Sequence, residues 1–395
     1  MASPSPQAAL PASSSRHRSH APPQDPPSPA HSASPRLPRR AHQSDPASGG
    51  PGARRGPGRR GAVVAHAGCR LVGVGSSVPD AVLTNHDLEE FIDTSDEWIS
   101  RRTGIRQRHV MGGADSLAGH GAAAASRALE MAEMAGGELD MVILATSSPD
   151  DIFGSACQVQ ASIGATKAVA FDITAACSGF VVGMVTGAQY IRTGMCKHVL
   201  VVGADALSRV LDWRDRSTCI LFGDGCGAVV LSPSDDDNCS LLGMAMVSDG
   251  TGQKSLNAEF QAFNGIKARD GGASSPAAFS NIQMNGQEVF KWAVRGVPKI
   301  IEEALEKGGL TSEDIDWLVM HQANMRILSA AAERLGLPQE RVVSNLQKYG
   351  NTSAASIPLA LDEAVRNSSI KSGDVIAMAG FGAGLTMAAA IVKWG

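Results

Sequence analysis

The chain alternates short unbroken apolar runs with longer stretches in which apolar residues return every third or fourth position, and the rhythm changes most sharply between Ala168 and Arg192. Residues 168–173 form a short, mostly apolar run bounded by small residues, which predicts a buried strand. From Cys177 onward, Phe180, Met184, Ala188 and Ile191 make one stripe at helical spacing, Val181 and Val185 lie beside it, and Gly179, Gly183 and Gly187 make a second line. The pattern predicts a helix buried on most sides, with Cys177 in its first turn and a neighbouring backbone close to the glycine line. Residues 173–191 are nineteen positions without a charge, near the length of a membrane span. The three glycines, Thr174, Ser178, Thr186, Gln189 and the strand ahead of them favour a core helix instead.

The same reading predicts strands over 70–74, 141–145, 198–202 and 227–231, an alanine-rich helix over 116–134, and a capped helix opening at Thr94-Ser95-Asp96-Glu97-Trp98-Ile99. Phe222-Gly223-Asp224-Gly225 reads as the turn into the last of these strands, and Asp235-Asp236-Asp237-Asn238 as a surface turn. Residues 249–279, rich in Gly, Ser and Asn, carry little periodicity and predict a long loop. After Phe279 the order repeats. A helix over 287–307 leads to an apolar run over 315–320, then to strands over 342–345 and 374–379. Asp316 to Asn351 spans 35 positions, where Asp140 to Cys177 spans 37, so the count sets Asn351 where Cys177 falls. Two matching halves related by a pseudo-twofold axis would bring both helix starts to one place. His321 would join them, at the carboxyl end of its strand, where open α/β sheets place their sites.

Composition then divides the chain. Residues 1–65 hold thirteen of the twenty prolines and nine arginines against only Asp25 and Asp45, a composition that cannot bury enough apolar surface to fold. Arg-rich, Ser-rich and acid-poor describes an organelle transit peptide; a basic arm for nucleic acid is the competing reading. Removing these nine arginines and two aspartates from totals of 35 and 39 leaves 26 basic against 37 acidic residues, about −11. Such an acidic body argues against nucleic-acid binding. Seven cysteines, without framework spacing, fit a reducing compartment.

Cys177 at a helix N-terminus is a candidate nucleophile, because the dipole and free N–H groups there favour a thiolate. Two reaction classes combine Cys, His and Asn. In a papain-like hydrolase the His takes the thiol proton and the Asn orients it. In a decarboxylating condensation the Cys carries an acyl group, while a neutral His and the Asn donate to a thioester oxygen that becomes an enolate as carbon dioxide leaves. A buried nucleophile in a duplicated α/β layout favours condensation, which excludes water.

Six segments in register resemble the β-ketoacyl-[acyl-carrier-protein] synthase III family, from about Cys69 to the C-terminus. They are the Thr94–Ile99 segment, Arg102-Thr103-Gly104-Ile105-Arg106, Ala175-Ala176-Cys177-Ser178-Gly179-Phe180, Phe222-Gly223-Asp224-Gly225, His321-Gln322-Ala323-Asn324 and Tyr349-Gly350-Asn351-Thr352-Ser353. The resemblance implies an α/β, thiolase-like fold: two duplicated βαβαβαββ halves in an α-β-α-β-α core around two buried central helices. The halves would span 68–250 and 281–395, with a transit peptide over 1–65 and a loop or insertion over 251–280. The implied protein is a plastid stromal homodimer with no metal and no cofactor beyond its CoA and carrier-protein thioesters, and with no membrane or nucleic-acid partner. It would condense an acyl-CoA primer, typically acetyl-CoA, with malonyl-acyl carrier protein; a polyketide-type relative using malonyl-CoA or another primer is the alternative.

Carried over residue by residue, the resemblance makes Cys177 the acyl carrier and His321 and Asn351 the decarboxylation donors. The backbone N–H groups of Cys177 and Ala383 would form the oxyanion hole, with neighbouring glycines allowing close backbone approach. Trp98, Arg102, Arg216 and Thr94 would bind CoA, Trp98 and Arg216 holding the adenine by stacking. Phe153, Phe222 and Phe381 would line the acyl pocket, and Arg326 and Lys291 would dock the carrier protein. Gln287 and Met387 depart from the family pattern, which holds Asn and Trp at those places.

Overall fold

Two mixed sheets carry the fold of this computed structural model, which describes residues 68–234, 240–261 and 278–395. The proposed transit peptide and the Asp235–Asn238 turn lie outside the described residues. The first sheet holds β1 (Gly68–Ser77), β2 (Met141–Ala145), β3 (Val169–Ile173), β4 (Val199–Asp205) and β5 (Gly225–Ser234) in the order β1-β5-β4-β2-β3. Its β2 runs parallel to both β3 and β4. The second sheet holds β6 (Leu241–Ser248), β7 (Trp317–Met320), β8 (Val375–Gly382) and β9 (Thr386–Lys393) in the order β7-β8-β9-β6. Although β6 precedes residue 250, it pairs with β9 in the second sheet.

The strand expected over 342–345 does not form. Val342 makes a single parallel bridge to Leu318, at the place β3 occupies in the first sheet. Beyond Val343, the Gln322 side chain takes the backbone groups that would continue the ladder: Oε1 accepts Asn345 N–H at 3.3 Å and Nε2 donates to Met320 O at 2.8 Å. With that bridge as a remnant strand, the second sheet repeats the first one's order.

The helices that matter are α1 (Asp96–Thr103), α2 (Leu117–Met131), α3 (Ala156–Ser162), α4 (Gly179–Arg192), α5 (Gly286–Lys307), α6 (Met325–Leu335) and α7 (Ser356–Arg366). Phe180, Val181 and Met184 of α4 and Ile357, Ala360 and Leu361 of α7 share one core with Val201 and Val229 of the first sheet and Ile376 and Ala388 of the second. Both helices therefore lie between the sheets. The outer face of the first sheet packs on α2 and α3, and that of the second on α5 and α6. This is the α-β-α-β-α layering of a thiolase-like fold. The glycine line of α4 admits sheet side chains rather than another helix backbone. A Cβ at Gly187 would lie 2.9 Å from Val199 Cγ1, and one at Gly183 3.1 Å from Val201 Cγ1. Among the described residues no helix is long and apolar enough to cross a membrane.

Candidate active site

The ends of α4 and α7 meet. A 3-10 turn, Ala176–Ser178, leads directly into α4, and its counterpart, Ser353–Ala355, leads into α7. Each turn opens on a residue other than glycine with a left-handed backbone, Ala176 at φ 46° and Ser353 at φ 49°. These landmarks correct the register taken from counting: Ala354, not Asn351, is the counterpart of Cys177. Asn351 lies three residues earlier, where its N–H donates to Leu221 O (2.8 Å) and its carbonyl accepts Gly223 N–H (3.0 Å). That bridge to the Phe222 turn is anchored by Arg108. The Arg108 guanidinium is fully buried and donates to Ile220 O (2.5 Å), Asn85 Oδ1 (2.9 Å) and Leu83 O (3.2 Å).

Cys177, His321 and Asn351 are all buried and line one cavity of about 580 Å³. His321 follows β7, its N–H bonded to Ala379 O on β8. Its Nδ1 lies 3.1 Å from Ser356 Oγ, and its ring stands edge-on to Phe381 at 5.0 Å. Burial pushes the imidazole down to about 3 from 6.5, so it is neutral at physiological pH. The Asn351 amide oxygen accepts Ser353 N–H (2.9 Å), which leaves its NH₂ group as the end available to a ligand.

The electrostatics of Cys177 differ from the expectation of a helix-stabilised thiolate. Burial pushes the thiol up to about 12; a hydrogen bond from Ser353 Oγ (3.4 Å) pulls it back, and the Asp205 carboxylate pushes it further up. Desolvation of a charge outweighs the helix end here, because the sulfur sits below the surface of the cavity. Gly380 and Gly382 of β8 cross over it, as the glycine-rich segment implied: a Cβ at Gly382 would lie 2.9 Å from Cys177 N and 3.0 Å from Sγ. Ala383 follows directly.

Of the other predicted residues, Trp98 and Arg102 line the cavity, and Arg216 joins them at the indole, both guanidinium groups lying about 5 Å from its centroid. Arg102 and Arg326 also line an adjoining surface cavity. Thr94 is near them in sequence but lines neither cavity, and its buried Oγ1 has no hydrogen-bond partner. Phe222, Phe381, Gln287, Lys291 and Arg326 line the main cavity. Lys291 pairs with Glu288 (2.9 Å), and Arg326 packs over the Phe290 ring. Met387 lies beneath the wall, its terminal methyl filling the space beside Gly296. Phe153, like Thr94, lines no part of this cavity, and it is 97% exposed. It follows Ile152 on a loop pushed outward between β2 and α3. Sequence reasoning gave no role to Ser353, Ser356, Asp205 or Arg108. Ser353 stands inside a quoted motif and Arg108 and Ser356 lie just beyond one, whereas nothing in the sequence marks Asp205.

Such a fold and such a site define a condensing acyltransferase of the thiolase-like class. Residues 171–250 match the family described as 3-Oxoacyl-[acyl-carrier-protein (ACP)] synthase III, and residues 305–394 match its C-terminal counterpart. The chain is 56% identical over 328 residues to a Beta-ketoacyl-[acyl-carrier-protein] synthase III of Acaryochloris marina, covering 83% of this chain and 98% of that protein. It is 53% identical to a chloroplastic one of Arabidopsis thaliana, covering 83% of each. The crystal structure of 3-oxoacyl-[acyl-carrier-protein] synthase III from Aquifex aeolicus superposes with a TM-score of 0.76 at 43% identity, covering 83% of this chain and all of that one. The chain belongs to the β-ketoacyl-[acyl-carrier-protein] synthase III family.

Proposed function

We propose that the chain condenses a short acyl-CoA primer, acetyl-CoA first, with malonyl-acyl carrier protein, giving a 3-oxoacyl-acyl carrier protein, CoA and carbon dioxide. The observation that carries this reading is the shared cavity of a buried sulfur, a neutral imidazole and an amide NH₂. In the first half-reaction Cys177 Sγ attacks the primer thioester carbonyl and CoA leaves; the N–H groups of Cys177 and Ala383 hold the oxyanion. In the second, His321 and Asn351 donate to the malonyl thioester oxygen while its terminal C–C bond breaks. The resulting carbanion attacks the acyl carbon, and Sγ leaves. A neutral imidazole is suited to donation toward an enolate because it loses no proton outright.

Trp98, Arg102, Arg216 and Thr94 are assigned to the CoA nucleotide, Phe222 and Phe381 to the acyl group, and Arg326 and Lys291 to the acidic carrier protein. Phe153 joins the acyl pocket across a homodimer. In support, β3 is an edge strand, and Val169 on it and Ile152 and Phe153 near it are exposed apolar groups. The chloroplastic relative and the basic tail support residues 1–65 as a transit peptide and the plastid stroma as destination. The test is formation of 3-oxobutyryl-acyl carrier protein from acetyl-CoA and malonyl-carrier protein. Turnover with malonyl-CoA but not with malonyl-carrier protein would favour the polyketide-type alternative.

A further inference from the structure

We propose that Ser353 is a positioning residue of the condensing site, whose hydroxyl donates to the Cys177 sulfur and steadies it whenever it carries negative charge. The inference deepens the proposed condensation and rests on that reading. Ser353 reaches two of the site residues through two different groups. Its Oγ lies 3.4 Å from Cys177 Sγ, and its N–H holds the Asn351 amide oxygen at 2.9 Å. It does so from a left-handed backbone, φ 49°, which glycine adopts without strain and a residue with a Cβ does not. Its counterpart in the other half, Ala176, shares that backbone without a hydroxyl, so the hydroxyl facing the sulfur is what Ser353 adds.

A second buried group completes the arrangement. Asp205, at the end of β4, is fully buried, and its carboxyl accepts Ser147 N–H (2.8 Å), Ser148 Oγ (2.8 Å), Thr146 Oγ1 (3.2 Å) and Ala354 N–H (3.2 Å). A serine hydroxyl has one proton to donate, and the acceptor it faces here is the sulfur. Donation to the sulfur is worth most when the sulfur is a thiolate, because hydrogen bonds to charged groups are the stronger ones. The charged sulfur occurs twice. It forms when Sγ–H gives up its proton before attacking the primer, that proton leaving on the CoA thiol. It forms again when the new C–C bond expels Sγ with the electron pair of the broken C–S bond, after which Sγ regains a proton from solvent.

The test is the pH profile of Cys177 alkylation by iodoacetamide in the full chain, for the parent, Ser353→Ala and Ser353→Gly. A hydrogen bond to the charged sulfur predicts alkylation about tenfold slower in both variants across neutral pH. Ser353→Gly should melt no lower than the parent, because it relieves the backbone. Rates within twofold of the parent in both variants would overturn the proposal. So would slowing in Ser353→Ala alone, which would mark a misplaced methyl group. Alkylation reads the sulfur and not the condensation, so a parent that alkylates in a Ser353-dependent way yet fails to turn over would sink the proposed function and leave this role standing.

Discussion

Substituting Gly382 by alanine tests how closely β8 lies over the nucleophile. The new Cβ would sit 2.9 Å from both Cys177 N and Cys177 Cβ, and 3.0 Å from Sγ, well inside the 3.5–4.0 Å at which carbon contacts are favourable. The turn cannot simply retreat, because Ala176 is held in a left-handed backbone and Gly380 crosses the same turn, with its own Cβ position 2.7 Å from Ser178 Cα. Strand and sulfur must part by about 0.5–1 Å. Overpacking of this kind costs about 1–3 kcal/mol of stability, and a displacement of about 1 Å at reacting atoms costs on the order of 100-fold in rate. Single-turnover transfer of radiolabelled acetate from acetyl-CoA to the protein should fall by about that factor, with Tm lowered by several degrees. Gly250→Ala, whose Cβ meets nothing within 4 Å, should leave both unchanged. Acetyl transfer within threefold of the parent at an unaltered Tm in Gly382→Ala would refute the close approach.

Burial holds the His321 imidazole near 3, against 6.5 when exposed. Below pH 6.5 the unfolded chain therefore binds a proton that the folded chain refuses. The stabilisation is complete above pH 6.5 and is lost as pH falls toward 3, by about 3 kcal/mol at pH 4. His321→Gln should lose correspondingly less stability than the parent between pH 6.5 and 4 in urea titrations, and equal losses would contradict the buried neutral ring. Arg108→Met strips donors from Ile220 O, Asn85 Oδ1 and Leu83 O; urea unfolding should register a loss of about 3 kcal/mol. Because the Ile220–Phe222 segment positions Asn351, malonyl decarboxylation should fall more than acyl-enzyme formation in that variant. An equal fall in both would mean that the bridge does not reach Asn351.

Most of the strands and both central helices were legible because burial on two faces leaves unbroken apolar runs, as over β2, and burial between sheets leaves the stripe and glycine line of α4. The duplication was legible in order but not in register. What sets the register is a pair of left-handed residues, Ala176 and Ser353, and neither residue type announces that backbone. The strand at 342–345 failed because a tertiary partner, the Gln322 amide, takes the Asn345 N–H and Met320 O that would extend it, and single-sequence periodicity contains no such term. Phe153 reads as a pocket residue from the resemblance, yet one copy of the chain leaves it in solvent. The thiol's raised pKa was hidden for a related reason: a helix start is visible in sequence, whereas the depth of the sulfur beneath two crossing glycines is a property of the folded packing.

Peptide mapping after brief exposure to acetyl-CoA, run in parallel on the parent, His321→Ala and Asn351→Ala, bears most directly on the claim that sulfur, imidazole and amide divide one condensation between them. The acetyl group should appear on the peptide containing Cys177 in all three proteins, while release of carbon dioxide from malonyl-carrier protein falls by about 100-fold or more in the two variants. Acetylation at any other residue, or carbon dioxide release at the parent's rate in either variant, would contradict it.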